Sequence, residues 1–249
     1  MILRTSILPL FNLRINLSLA TSFILGLLLF LTPVAIAGFA PRNRKPASDY
    51  TKSGGSRGCP SESIPLTLLA PQTYIAYTTS LHPTFVGFVS SSHKIEFRIF
   101  EFISDDTTKQ LGNPIEKQVA PGIFEISLLK DHPGLTVGKK YFWQLAISCP
   151  GDNLVEAAEF IVVETPSTLK SELSTTANGL QKADIYAKAG LWYEALAEAL
   201  KSANNGKLGQ IGSNLVQDFA KYESPRPREK EELVKKRILY LQTIANKKK

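Results

Sequence analysis

Gly54-Gly55-Ser56-Arg57-Gly58 spells the nucleophile elbow of serine hydrolases, in which a tight strand-to-helix turn presents a serine to a histidine base. The flanks here are polar and Gly-rich rather than a buried strand and a helix, so the spelling reads as a chance match. A second arrangement centres on His82, which Pro83 would fix as a base. Ser56 or Ser80 would be its nucleophile, with Asp105, Asp106, Asp131 or Asp152 as acidic partner. No spacing ties these residues together, and Asp on loops is a common turn former; His82 reads as a turn or core histidine. His93 and His132 stand beside strand ends and cannot be linked to it from sequence. Metal chemistry is thinly supplied: three His, two Cys and one Met occur in 249 residues, with no His-x-His, His-x-x-x-His or Cys-x-x-Cys pair to seed a zinc site. The reading is no catalytic residue, no metal site and no bound cofactor.

The first segment is an address. Arg4 and Arg14 precede an apolar run over residues 17–31 that ends at Pro33 and the small-residue pattern Ala35-Ile36-Ala37. This is the pattern of a secretory signal peptide over residues 1–37, cleaved before Gly38, with a retained membrane anchor as the alternative. After cleavage no transmembrane segment is expected, and the product is periplasmic or secreted. In an oxidising compartment the two cysteines, Cys59 and Cys149, pair by default, the alternative being two independent buried thiols. Closing a loop of about ninety residues would contribute roughly 4 to 5 kcal/mol in the chain-entropy account. The formal net charge of +7 is spread over tails and leader, as in Lys247 to Lys249, and an exported chain meets no genome. Nucleic acid is therefore not an expected partner, whereas loose attraction to anionic lipid or wall polymer is compatible with this charge.

Three regions follow the signal. Residues 38–62 are rich in Pro, Gly and Ser and read as a flexible leader. Residues 63–164 have period two. Tyr141, Trp143, Leu145, Ile147 and Cys149 share one face, Ile95, Phe97 and Ile99 another, and Phe124, Ile126 and Leu128 a third. Phe100 and Phe102 switch parity, which predicts a bulge or a covered outer face. About seven short strands predict an antiparallel β-sandwich of immunoglobulin or fibronectin-like kind.

After Thr165-Pro166, a cap and a first-turn proline, the period becomes 3.6. Residues 165–249 read as a helical region with a basic tail. Ala183, Tyr186, Gly190, Trp192, Ala195 and Ala199 have the spacing of one tetratricopeptide-like hairpin, with Gly190 at the turn and Tyr186 and Ala195 buried between the helices. A single hairpin cannot bury its own face and must pack on a neighbour. Val234, Ile238, Leu241 and Ala245 form a stripe on a further helix. Trp192 and Tyr193 lie 100° apart on one helix and cannot both occupy one interface, so one of them is expected to contact the sandwich or to form a candidate interaction surface.

The ordered set Gly58-Cys59-Pro60, Pro65-Leu66-Thr67, His82-Pro83-Thr84-Phe85, Gly138 to Trp143, Cys149 and Ile185 to Leu196 resembles the cyanobacterial exported proteins grouped as domain of unknown function 928. The resemblance covers nearly the whole chain after the signal. It implies an architecture and a compartment, and an envelope sensor as a conceivable partner, but no catalytic residue. The functional expectation is a non-catalytic extracytoplasmic interaction or adaptor protein with a protein or envelope-polymer partner. An extracytoplasmic hydrolase and a wall-polysaccharide-binding protein are the alternatives.

Overall fold

A computed structural model describes residues 38–51, 59, 62–128, 134–149, 152–204, 206–227 and 229–247. The expected signal peptide, the Ser56 motif, Asp131 and His132 lie outside the described residues. Among the described residues, no helix is long and apolar enough to cross a membrane.

Two sheets form the β region. The smaller is antiparallel, β1 (Thr67–Leu68), β3 (Thr84–Val89) and β7 (Gly122–Ser127), with β3 central. The larger runs β2 (Ala76–Thr78), β9 (Asp152–Val162), β8 (Lys140–Cys149) and β4 (His93–Phe102), and both β5 (Thr108–Gln110) and β6 (Ile115–Val119) pair with the far edge of β4. Its pairings are antiparallel except for β2 beside β9. The alternation on β8 does what period two predicts: Tyr141, Trp143, Leu145 and Ile147 are buried on one face. Phe85 of β3 meets Phe97, Trp143 and Phe160 of the larger sheet at ring separations of 4.9 to 5.6 Å, so the two sheets pack through one aromatic centre. Gly87 serves that packing, because a Cβ there would meet the Phe124 ring at 2.5 Å.

The parity switch at Phe100 and Phe102 is a covered outer face rather than a bulge. The β4–β8 register runs without interruption from Ile95↔Ile147 to Glu101↔Tyr141, while Phe100, Phe102, Phe142 and Ala157 form a second cluster. Tyr50, in a 3-10 turn at Asp49–Thr51, stacks on Phe142 and meets Phe102 edge-on.

That cover corrects the expected flexible leader over residues 38–51. Ala47 N–H donates to the Thr73 carbonyl, and Ile75 N–H to that of Lys45, so the leader adds to the sheet edge beside β2. Phe39 is buried against the Trp192 ring at 5.0 Å. The composition argument failed because two aromatics, Phe39 and Tyr50, find preformed apolar surface elsewhere in the chain.

Five helices follow among the described residues: α1 (Ser167–Thr175), α2 (Gly179–Lys188), α3 (Trp192–Leu200), α4 (Gly209–Ala220) and α5 (Glu231–Asn246). Pro166, not Thr165, is the cap residue of α1, with φ −57° and ψ 144°. Asn178 caps α2, its side chain accepting from Leu180 N–H at 2.8 Å. Gly190, with φ +69°, makes the α2–α3 turn as expected. Ala183 and Ala195 are fully buried, as their size requires where helices approach closely. Tyr186 is only partly buried, at the margin of the Leu169, Ile185 and Leu191 cluster, and does not fill the helix interface. Val234, Leu241, Ile244 and Ala245 form the buried stripe of α5.

Candidate functional site

A cleft of about 430 Å³ opens where α1, α2, the edge strand β2 and the leader meet. Its floor is apolar: Tyr77, Val163, Leu169, Ile185 and Leu191. The rim mixes signs, with Arg42 and Lys188 against Glu164 and Glu172. Local rules account for the arrangement. Tyr77 and Leu191 form a parallel bridge that fixes the α2–α3 turn to the sheet edge. Gly190 admits the leader at close range, since a Cβ there would meet the Arg42 nitrogen at 3.2 Å, and this holds Arg42 on the rim. Lys188 is steered by Asp184 one helical turn earlier, at 2.7 Å. Burial pushes the Tyr77 phenol above its usual range, so its hydroxyl stays neutral. The cleft offers apolar contact and orienting charges of both signs, the composition of a small-ligand or side-chain pocket.

The expected interaction surface at Trp192 and Tyr193 is corrected. The two side chains do point to different interfaces, as their 100° separation requires, but both interfaces are internal. Trp192 is fully buried, donates its indole N–H to the Leu69 carbonyl at 2.8 Å, and meets Phe39 and Phe219 edge-on. Tyr193 inserts between the sheets against Phe85 and Phe160, and its oxygen accepts from Trp143 Nε1 at 3.0 Å. Neither ring is available to a partner.

Of the residues considered for hydrolysis, Ser80, His82, Asp105, Asp106 and Asp152 are among those described. Ser80 Oγ accepts from the backbone N–H of His82 at 3.1 Å, an ordinary turn contact, and the His82 ring packs toward Gly134. Asp105 and Asp106 lie in the exposed bend between β4 and β5. His82 leads into β3 of the smaller sheet, whereas Asp105 and Asp106 join β4 to β5 of the larger one. Asp152 begins β9, where its backbone pairs with Cys149.

Cys59 and Cys149 form a disulfide. Beside it the structure assembles a group that sequence reading missed. Ligand atoms of Cys59, Glu62 and His93 lie within 4.8 Å of one another. Glu62 N–H donates to the Cys59 carbonyl at 2.9 Å, which fixes the Cys59-x-x-Glu62 turn. Glu62 Oε1 lies 2.5 Å from His93 Nε2 and 2.6 Å from Ser91 Oγ. The Cys-x-x-Glu spacing was the only signal in the sequence, and it gave no hint of His93.

Other buried or half-buried carboxylates fasten the elements. Glu194 Oε1 on α3 accepts from Thr79 N–H at 2.6 Å, Ser80 N–H at 3.0 Å and the hydroxyls of Thr78 and Thr79. Glu159, closed to solvent on β9, accepts from Ser48 N–H at 2.8 Å and pairs with Lys140 at 3.1 Å. Glu223 pairs with Arg237 and accepts from Gln72 N–H. Arg226 bonds Glu229, the Ser48 carbonyl and Thr51 Oγ1, tying the α4–α5 connection to the leader.

No curated protein matches the chain. A solved structure, "Structure of T.fusca AA10A", is similar at 6% identity and a TM-score of 0.28. The match covers 38% of this chain and 54% of the other, so the chain spans about half the length of that protein. The family model described as Domain of Unknown Function (DUF928) matches residues 52–221, a span that contains the disulfide, both sheets and α1 to α4, and the chain belongs to that family.

Proposed function

We propose that the protein is a non-catalytic extracytoplasmic interaction module that receives an apolar side chain or short apolar segment of a partner protein in the cleft between α1, α2 and β2. The observation that carries this reading is the cleft itself: an apolar floor left uncovered by the described residues, beneath a rim where Arg42 and Lys188 face Glu164 and Glu172. Export is supported by the Arg-then-apolar-then-Ala-x-Ala pattern of residues 1–37 and by the disulfide. Gly38, the residue after the expected cleavage point, lies against the Asp218 carboxylate. An envelope sensor is the partner class that the family resemblance suggests.

The finer fold reading belongs to the same proposal. The order β1-β3-β7 opposite β4-β8-β9 corresponds to the A-B-E and C-F-G strands of an immunoglobulin-type sandwich, and the α2–α3 pair to a single tetratricopeptide-like hairpin. Both are recognition scaffolds, which supports binding over chemistry.

The test fills the cleft without touching the core. Glu172→Trp and Thr168→Trp, at exposed positions of the lining, should leave the melting temperature unchanged and abolish capture of the envelope partner by the tagged protein. Undiminished capture by both variants moves the binding surface elsewhere. Retention on peptidoglycan or polysaccharide in place of protein would favour the wall-binding alternative.

A further inference from the structure

We propose that the Cys59–Cys149 disulfide caps a latent zinc site: once a dithiol opens the bond, Cys59, Cys149, Glu62 and His93 together bind one zinc ion. The proposal is independent of the cleft.

Three segments converge to make the site. The Cys59-x-x-Glu62 turn supplies two donors, the start of β4 supplies His93 and the end of β8 supplies Cys149. The first three offer ligand atoms within 4.8 Å of one another, and the Cys149 sulfur is one covalent bond from that of Cys59. The β4–β8 register, which pairs Ile95 with Ile147, brings His93 opposite Cys149 when continued by two residues, so both project from the same face. A tetrahedral zinc ion with Zn–S bonds of about 2.3 Å needs its sulfurs roughly 3.8 Å apart. With the two cysteine Cα atoms 5.1 Å apart, rotation of the opened side chains between staggered rotamers can separate the sulfurs by that amount.

Glu62 points independently to a cation. Its side chain is 3% exposed. One oxygen, Oε1, takes the contacts with His93 and Ser91, while Oε2 is buried with no hydrogen-bond partner among the described residues. An unsatisfied buried carboxylate oxygen is costly, and a bound divalent ion satisfies it directly. Two thiolates, an imidazole and a carboxylate form the donor set of zinc rather than of magnesium or calcium, which take oxygen ligands. Ser91 Oγ, 2.9 Å from His93 Nε2 and 2.6 Å from Glu62 Oε1, is placed to orient both.

The step balances. The dithiol is oxidised to its own disulfide and gives two electrons and two protons to the cysteine pair, yielding two thiols. Zinc binding then displaces one proton from each thiol, and the thiolates, neutral His93 and ionised Glu62 complete four-coordination.

The test uses the whole exported chain, reduced with dithiothreitol and freed of reductant by anaerobic gel filtration. Titration with cobalt(II) should give, at one equivalent, the near-ultraviolet thiolate charge-transfer band and the intense ligand-field bands of a tetrahedral site, both lost when zinc is added. The oxidised protein should give neither. Glu62→Gln and His93→Ala, checked for native fold in the oxidised state, should each weaken zinc binding by more than about tenfold. Should reduction melt the metal-free chain, one equivalent of zinc should restore a cooperative thermal transition. Reduced protein with no tetrahedral cobalt spectrum, a melted chain that zinc fails to restore, or parental affinity in either variant overturns the proposal.

Discussion

Trp143, in the middle of β8, donates its indole N–H to the hydroxyl oxygen of Tyr193 on α3 at 3.0 Å, and both rings are closed to solvent. This hydrogen bond helps join the sheet region to the helical region inside the aromatic centre around Phe85. Burial pushes the Tyr193 phenol far above its ordinary range, so its oxygen stays neutral and accepts at any working pH. Tyr193→Phe keeps the ring and orphans the Trp143 N–H, and should destabilise by about 1–3 kcal/mol. The check is the urea midpoint at unchanged slope. An unshifted midpoint would mean that the indole finds another acceptor.

Phe39 tests whether the leader is part of the fold. Its ring is 3% exposed and meets Trp192 edge-on. Phe39→Ala should cost about 3–5 kcal/mol, as for truncation of a core aromatic. Arg42→Ala, on the cleft rim, should leave stability nearly unchanged. Thermal melts of both variants decide it, and equal melting temperatures would return residues 38–51 to the status of a loose tail.

How much of this was legible from the chain follows the range of each interaction. The β8 alternation and the α2–α3 turn at Gly190 are local patterns, and period and turn chemistry suffice to read them. The disulfide was legible through compartment and cysteine count. The fate of Trp192 and Tyr193 was half legible: their angular separation demands two interfaces, but that Phe39 covers one and Phe85 the other depends on segments far away in sequence. Period-two alternation sets Glu159 on the face opposite Ala158 and Phe160, and alternation alone cannot reveal that Ser48 and Lys140 cover that face. The approach of His93 to Cys59 and Glu62 was invisible for the same reason, since it depends on the Cys59–Cys149 disulfide together with the register of β4 on β8.

Glu194 fastens α3 to residues 78–80 through one carboxylate oxygen with two backbone and two hydroxyl donors. Glu194→Ala strands two amide N–H groups and should cost roughly 2–3 kcal/mol, in line with hydrogen bonds to a charged acceptor. Glu194→Gln retains a carbonyl oxygen and should recover part of that loss. If the two variants melt together, the charge rather than the acceptor geometry holds the junction.

Acid should loosen the link between the α4–α5 connection and the leader. Burial raises the Glu229 carboxyl, but hydrogen bonds from the Arg226 side chain and backbone, with the charges of Arg226 and Arg237, outweigh it and hold the group below its usual range. A folded value below the unfolded one contributes stability that is complete above the ordinary glutamate range, about 4.3, and is lost as pH falls through the folded value. Denaturation midpoints should therefore fall on acidification below that range, less steeply in Glu229→Gln. Glu231, paired with Lys235 at the surface, contributes a share that salt screens, so the Glu229 dependence is the part that survives at high ionic strength.

The helical region should not stand alone. The α3 helix buries Trp192 and Tyr193 against Phe39, Leu69, Phe85, Trp143 and Phe160, all outside that region. A fragment of residues 166–249 would uncover the Tyr193 ring and the side of Trp192 that meets Phe39, aromatic rings carrying about 150–250 Å² of surface each, and would lose the Glu194 junction with residues 78–80. Its helices span 9 to 16 residues, and isolated helices shorter than about 12–15 residues are marginal in water. What stays inside the fragment, chiefly the packing of α2 on α3, of α4 on α5 and of Trp192 on Phe219, leaves Tyr193 without the partners it has in the sheets. The expected product has weak helical circular dichroism, no cooperative melt, and binds a hydrophobic dye or self-associates. A monomeric fragment with a sharp thermal transition would show that these helices form an independent domain, and Tyr193→Phe would then act through docking of two domains rather than through one shared core.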